Sequence, residues 1–161
     1  MKVAMYPGTF DPITYGHIDI AVRALNIFPK VIAVVAENPG KSPLFSVDER
    51  LAMVKEAFKD ITGIEVVKYS GLIVNCLQEY GASVLIRGLR ALSDFDYEFQ
   101  MAFTNRSLRT SSETVFLMPS AEYIYLNSTM VKQIARLKGD VTPFVPGFVK
   151  QKLIEKFNTI N

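Results

Sequence analysis

The first loop of the chain carries side chains suited to binding an anion. It runs from Gly8 to His17 and follows a short apolar run. The loop leads into a predicted helix, whose first backbone N–H groups and dipole favour negative charge. Gly8 and Gly16 would let the backbone approach a ligand closely, and Thr9 adds a hydroxyl. A lone histidine is more often structural, but the position of His17 at this helix start favours contact with a phosphate.

A second candidate anion site is the sequence Arg87-Gly88-Leu89-Arg90, which follows a later apolar run. A guanidinium can bind two phosphate oxygens at once. The alternative is pairing with acids of the next helix, Asp94, Asp96 and Glu98. This alternative is plausible for one arginine and less so for both.

At three further positions, a purely structural role of the polar side chain is an alternative to a role in ligand binding. Lys41 lies in a polar, proline-containing loop, where a lysine is more often a solvated charge. Asp11 precedes a proline, which favours a turn over contact with a metal-bound water. Ser128 and Thr129 lie at a helix start, where capping and phosphate binding are compatible.

Short apolar runs alternate with helical patterns along the chain. The runs are Val3–Tyr6, Val31–Ala36, Ile64–Tyr69, Ser83–Ile86 and Thr114–Met118. The helical patterns are 16–27, 47–59, 72–80, 94–108, 129–137 and 148–157. Continuous Val- and Ile-rich runs are typical of parallel strands buried on both faces. The alternation predicts an α/β fold in one domain, 1–161, with a doubly wound, Rossmann-like, five-stranded parallel sheet in the order 3-2-1-4-5 and helices on both faces.

Capping patterns support these helices. Ser46 with Glu49, and Ser93 with Asp96, have capping-box spacing. Gly81 and Gly139 stand where helices are expected to end. In this strand order the first and fourth strands are neighbours, and ligands bind beyond their carboxyl ends. The candidate anion loops follow these two strands.

Composition narrows the function classes. Eighteen basic and 16 acidic residues leave a net charge of +2 without a basic cluster, so we expect no nucleic-acid partner. One cysteine, Cys76, and one histidine argue against a disulfide framework and a zinc site, and we interpret Cys76 as a core residue. No apolar stretch is long enough to span a membrane. We therefore expect a cytoplasmic protein without protein ligands to a metal.

Taken together, the segments Tyr6–His17, Lys41, Val84–Arg90 and Asn127–Thr129 resemble the bacterial phosphopantetheine adenylyltransferases over nearly the whole chain. Thr14-x-Gly16-His17 is similar to the (His/Thr)-x-Gly-His motif of the nucleotidyltransferase superfamily. Arg87–Arg90 and the acidic, aromatic helix after it make the narrower resemblance specific. The chain departs from the family's serine run at Asn127, and Gly71 stands where an acidic residue is common.

The resemblance implies transfer of an adenylyl group from ATP to 4′-phosphopantetheine, which yields dephospho-coenzyme A and pyrophosphate. It implies Mg²⁺ bound mainly through ATP phosphates, a homohexamer and coenzyme A as a feedback ligand. The implied catalytic residues are His17, Lys41 and Thr9, and the implied acceptor-binding residues are Thr9, Lys41, Ile73 and Arg87. The implied ATP-binding residues are Thr9, Phe10, His17, Gly88, Leu89, Arg90, Glu98, Tyr123, Ile124, Tyr125, Leu126, Asn127, Ser128 and Thr129.

This residue set is suited to a reaction without a protein base. A phosphate monoester has a second pKa near ~6, so the acceptor is largely a dianion at neutral pH and can attack phosphorus directly. Two other interpretations stay open: a nucleotidyltransferase that uses CTP or a nicotinamide mononucleotide acceptor, and a nucleotide-binding module without catalysis.

Overall fold

A five-stranded parallel sheet forms the centre of the computed structural model, which describes residues 3–37, 40, 42–90 and 92–160. The strands are β1 (Val3–Gly8), β2 (Lys30–Glu37), β3 (Ile64–Ser70), β4 (Val84–Gly88) and β5 (Glu113–Leu117). Their order is β3-β2-β1-β4-β5, and each neighbouring pair is parallel. The predicted doubly wound sheet and its strand order are confirmed.

In the part of the chain that the structure describes, six helices accompany the sheet. They are α1 (Tyr15–Leu25), α2 (Val47–Phe58), α3 (Ile73–Glu79), α4 (Leu92–Leu108), α5 (Ser128–Arg136) and α6 (Gly147–Ile160). Each predicted run corresponds to one of these elements, with ends shifted by a few residues. A single 3₁₀ turn at Ala121–Tyr123 was not predicted.

Both faces of the sheet are covered because alternate strand residues point to opposite sides. On one face, Tyr6, Val35 and Ile86 belong to a core that also includes buried residues of α1, α2, α5 and α6. On the other face, Met5 and Leu85 join a smaller core with α3. Cys76 is buried in this second core, as the sequence indicated.

The caps agree with the sequence in part. Ser46 and Glu49 form the predicted capping box, with the Ser46 amide donating to the Glu49 carboxylate over 2.7 Å. The prediction for Ser93 is wrong, because α4 begins one residue earlier, at Leu92. Gly81 has the expected positive φ of 63°. After α5 it is Lys138, not Gly139, that adopts the left-handed conformation, with a φ of 59°.

Candidate functional site

A cavity of about 600 Å³ opens at the carboxyl ends of β1 and β4, where the strand order reverses. This is the position that the predicted topology assigns to a ligand. The lining residues come from the ends of β1 and β4, from the loops after β1, β2, β4 and β5, and from α1, α4 and α5. They are Tyr6–Asp11, Thr14, Gly16, His17, Ile20, Ser42, Pro43, Arg87, Gly88, Arg90, Glu98, Pro119, Tyr123, Leu126–Thr129 and Lys132.

His17 is held in the cavity wall by the cap of α1. Thr14 is the N-cap residue, and its side chain accepts a hydrogen bond from the His17 amide. In return, the Thr14 amide donates to Nδ1 of His17 over 3.0 Å. Because Nδ1 is the acceptor, the proton of the neutral ring lies on Nε2. The imidazole therefore offers an N–H donor on the side away from Thr14.

The surroundings of His17 keep this ring neutral. Burial is the main cause, and the positive charges of Arg90 and Arg87 act in the same direction, so that the pKa falls from 6.5 to about 4. The ring also lies edge-on to Phe10, with 5.1 Å between ring centroids. At pH 7 the histidine is thus a neutral hydrogen-bond donor whose Nδ1 is already occupied.

In the loop after β1, the Phe10 ring packs against the backbone of Gly8. Phe10 has a positive φ of 50°, and its ring is buried beneath Gly8. A Cβ at Gly8 would lie 2.8 Å from Phe10 Cζ, so a side chain cannot be added there without displacing the ring. This packing leaves Thr9 in the cavity wall beside His17.

Both arginines after β4 are paired with acids of α4, an arrangement that the sequence made plausible for one arginine and less so for both. Arg87 makes a bidentate contact with Glu98, at 2.7 and 2.6 Å, and donates to the Pro7 carbonyl. Arg90 donates to Asp94 at 3.0 Å and to the Leu126 carbonyl. The pairs fix both guanidinium groups at the cavity, and a phosphate there would compete with Glu98 and Asp94 for them.

The start of α5 forms the opposite wall. Asn127 caps this helix by accepting from the Met130 amide over 2.8 Å. The Ser128 hydroxyl donates to the Pro12 carbonyl, which joins the helix start to the first loop. The first N–H groups of α5 therefore lie at the cavity, where an anion is favoured.

The structure brings most of the predicted site residues to this cavity. Those that line it are Thr9, Phe10, His17, Arg87, Gly88, Arg90, Glu98, Tyr123, Leu126, Asn127, Ser128 and Thr129. Leu89, Ile124, Tyr125 and Ile73 do not line it; Tyr125 is 86% exposed, and Ile73 packs against the smaller core. Lys41 lies outside the described residues, although Ser42 and Pro43 after it line the cavity.

Two charged groups of the cavity wall have contacts that the sequence did not show: Lys132, which sequence reasoning missed, and Asp11, which it interpreted as a turn residue. Asp11 is buried and accepts from the Leu44 and Phe45 amides, each at 2.9 Å, and from Lys132 Nζ at 2.6 Å. Its role is to join two loops, which supports the turn interpretation over a metal-bound water. Lys132 lies one helical turn after Ser128, and this spacing was the signal that could have identified it.

Among the described residues, no cluster of three or more histidine, cysteine or acidic side chains is arranged to hold a metal ion. Within the same part of the chain, no helix is both long and apolar enough to span a membrane.

Comparisons with known proteins agree with this geometry. The cytidylyltransferase-like family matches residues 5–134. The phosphopantetheine adenylyltransferase of Caldanaerobacter subterraneus subsp. tengcongensis is 52% identical over 157 residues, which cover 98% of each chain. That of Methylococcus capsulatus is 51% identical, with 96% of this chain and 95% of the relative covered. A solved structure of a candidate nicotinate-nucleotide adenylyltransferase from Vibrio parahaemolyticus shares the fold, with a TM-score of 0.69, 15% identity and coverage of 96% and 92%.

The family match over residues 5–134 assigns the chain to the cytidylyltransferase-like family, and its relatives of about 50% identity are named as adenylyltransferases, which are nucleotidyltransferases. Within that class, identity of about half over nearly the full length shows that the chain belongs to the phosphopantetheine adenylyltransferase family.

We predict that His17 titrates with a pKa of about 4, as the Nε2-protonated tautomer. In the unfolded chain the imidazole becomes protonated near pH 6.5, whereas in the folded chain it stays neutral to about pH 4. The contribution of His17 to the free energy of unfolding is therefore fully favourable above pH 6.5 and is lost as the pH falls towards 4. The imidazole ¹⁵N resonances report both the pKa and the tautomer of the ring. Their assignment is unambiguous because His17 is the only histidine. A ring that titrates near 6.5, or that carries its proton on Nδ1, would contradict the site geometry.

Proposed function

We propose that the chain transfers the adenylyl group of ATP to 4′-phosphopantetheine, giving dephospho-coenzyme A and pyrophosphate. The observation that carries this proposal is the cavity, which places neutral His17, two arginines and the start of α5 around one space. The names of relatives about 50% identical over the full length support the choice of acceptor.

The chemistry follows from the charges of the two substrates. An oxygen of the acceptor phosphate forms a bond to the α-phosphorus of ATP, while the bond from that phosphorus to the bridging oxygen of pyrophosphate breaks. The acceptor is largely a dianion at neutral pH, so no proton has to be removed by the protein. The protein instead holds two repelling anions in line and stabilises the charge that develops on the oxygens.

We assign the reacting centre to three residues. The Nε2–H of His17 and the Thr9 hydroxyl donate to the oxygens on the α-phosphorus, where such donors have most effect. Lys41 is assigned to the same phosphate and to the acceptor because of the family resemblance. The neutrality of His17 supports a donor role, because a ring with a pKa of about 4 is a poor proton acceptor.

The substrate positions follow from the two arginines. Arg87, with Thr9 and Lys41, holds the acceptor, and Ile73, which lies outside the cavity wall, is assigned to the acceptor by the family resemblance alone. Arg90 and the start of α5 hold the β- and γ-phosphates of ATP. The remaining contacts to ATP are assigned to Phe10, Gly88, Leu89, Glu98 and Tyr123–Thr129. A phosphate that takes donors from Arg87 competes with buried Glu98, so its own hydrogen bonds must exceed the cost of leaving that carboxylate with fewer partners.

Mg²⁺ is proposed to bind mainly through the phosphates of ATP. The two carboxylates that line the cavity already accept hydrogen bonds, Asp11 from two amides and Lys132, and Glu98 from Arg87. Phosphate oxygens and water therefore suit the octahedral preference of the ion better than these side chains. When bound, the ion neutralises charge on the leaving pyrophosphate.

We place the reaction in the cytoplasm.

A matrix of assays tests the reaction. Pyrophosphate release is measured with ATP or CTP, each with 4′-phosphopantetheine or nicotinamide mononucleotide. We expect release with ATP and 4′-phosphopantetheine, and ATP synthesis in reverse from dephospho-coenzyme A and pyrophosphate. Preference for CTP or for the mononucleotide would replace the proposed substrates. Binding of ATP without pyrophosphate release from any pair would indicate a non-catalytic module.

We predict that His17→Ala lowers kcat roughly 10²–10³-fold, the range for loss of one oxyanion donor, and weakens ATP binding much less. Steady-state kinetics and calorimetric titration with ATP separate the two effects. Gly147→Ala is a suitable control, because a Cβ there meets no atom within 4 Å. Turnover of His17→Ala near the wild-type rate would refute the assignment.

We also propose a homohexamer, in which coenzyme A competes for the cavity because it contains both substrate moieties. An aromatic stripe on α4 supports self-association: Phe95, Phe99 and Phe103 contact one another in sequence and are all exposed in the single chain. Exposed apolar patches of this kind mark interaction surfaces.

The subunit number is measured by sedimentation equilibrium. We expect six subunits for the wild type and smaller species for Phe99→Ser/Phe103→Ser, since burial of these rings would stabilise the contact. A wild-type monomer, or a double variant with unchanged mass, would contradict the assembly proposed.

A further inference from the structure

Arg50 is a buried cation on α2 that the assigned chemistry does not use. Its residue surface is only 2% exposed. The guanidinium donates to three backbone carbonyls: Thr9 at 2.6 Å, Ala36 at 2.9 Å and Phe45 at 3.2 Å. Among the described residues, no carboxylate forms an ion pair with it. A buried charge is costly to desolvate, so its carbonyl bonds must supply most of the compensation.

The three carbonyls belong to segments that converge on the cavity. Thr9 is in the loop after β1, Ala36 is near the end of β2, and Phe45 precedes the cap of α2. The last of these segments is held from the other side by Asp11, which accepts from the amides of Leu44 and Phe45. Arg50 and Asp11 thus fix this part of the loop that also contains Ser42 and Pro43 of the cavity wall.

The contact with Thr9 also determines where an amide points. The Thr9–Phe10 peptide is trans, so its carbonyl and its N–H face opposite directions. With the carbonyl turned towards Arg50, the Phe10 N–H is on the opposite side of this peptide. Within the described part of the chain, this N–H has no hydrogen-bond acceptor. Both residues line the cavity, so an anion bound there lies on the same loop as this peptide.

We propose that Arg50 is a positioning residue, which holds the Thr9–Phe10 peptide so that the Phe10 N–H donates to a phosphate of the bound nucleotide. The inference rests on the proposed function. The contact itself requires only that the chain binds ATP. Arg50 acts through the backbone and touches neither substrate. Its fork of donors suits three carbonyls at once, which the single ammonium of lysine matches poorly.

The test compares Arg50→Lys with Val54→Ala. Arg50→Lys keeps a cation but disturbs the three-carbonyl contact. Val54 is fully buried one turn along α2 and is not part of the cavity wall, so Val54→Ala controls for a loss of stability in the same helix. We expect kcat/KM for ATP to fall roughly 10- to 100-fold in Arg50→Lys, the size of effect that misplaced groups produce. Val54→Ala is expected to remain within twofold of the wild type.

Amide NMR gives a readout that loss of stability alone would not change. In the wild type, saturating ATP is expected to move the Phe10 ¹H resonance downfield, and in Arg50→Lys that response is expected to shrink. Equal responses and equal kcat/KM in the two proteins would overturn the proposal. If Arg50→Lys does not fold, a wild-type Phe10 amide that ignores ATP also overturns it.

The same experiments distinguish the proposed adenylyl transfer from the proposed role of Arg50. A Phe10 response that is present in the wild type and shrinks in Arg50→Lys, without pyrophosphate release from 4′-phosphopantetheine, contradicts the proposed reaction and supports the role of Arg50. A wild type that is active but shows no Phe10 response supports the reaction and overturns the role of Arg50.

Discussion

The hydrogen bond from the Thr14 amide to Nδ1 of His17 determines what the cavity can do. It occupies the basic nitrogen of the only histidine and leaves the proton on Nε2. Burial and two nearby guanidinium groups then hold the ring in its neutral form. A side chain that often acts as a proton acceptor is thereby made a fixed donor. The same bond completes the cap of α1, so the fold and the site depend on one contact.

The charges around this donor are arranged in pairs. Arg87 lies against Glu98, Arg90 against Asp94, and Lys132 against Asp11. Each carboxylate holds its cation in place before a ligand arrives and limits the repulsion among like charges. A phosphate can then replace a carboxylate without new ordering of the cation, which lowers the cost of binding. Arg50 differs from these cations, because the described structure gives it carbonyl partners alone.

Much of this arrangement could be predicted from the sequence, because it depends on local patterns. Val- and Ile-rich runs predicted the strands, and the topology then predicted that the loops after β1 and β4 meet. Pairing of both arginines could not be predicted, because it depends on how α4 packs against β4. The contacts of Arg50 could not be predicted either, since its acceptors are backbone atoms and two of them, the carbonyls of Thr9 and Ala36, are 41 and 14 residues away. Tyr125 shows the opposite case: Tyr123 and Leu126 line the cavity, but the side chain of Tyr125 between them is exposed to solvent.

In the proposed reaction, positioned donors and cations stabilise the transition state, and the acceptor phosphate attacks as a dianion without a protein base. The pH dependence of kcat tests this most directly, with 4′-phosphopantetheine compared with its phosphorothioate analogue, whose second ionisation lies at lower pH. We expect one acidic limb, which moves with the acceptor and keeps its position in His17→Gln. A limb that stays in place when the acceptor changes, and disappears in His17→Gln, would show that the histidine takes up a proton and would contradict the account.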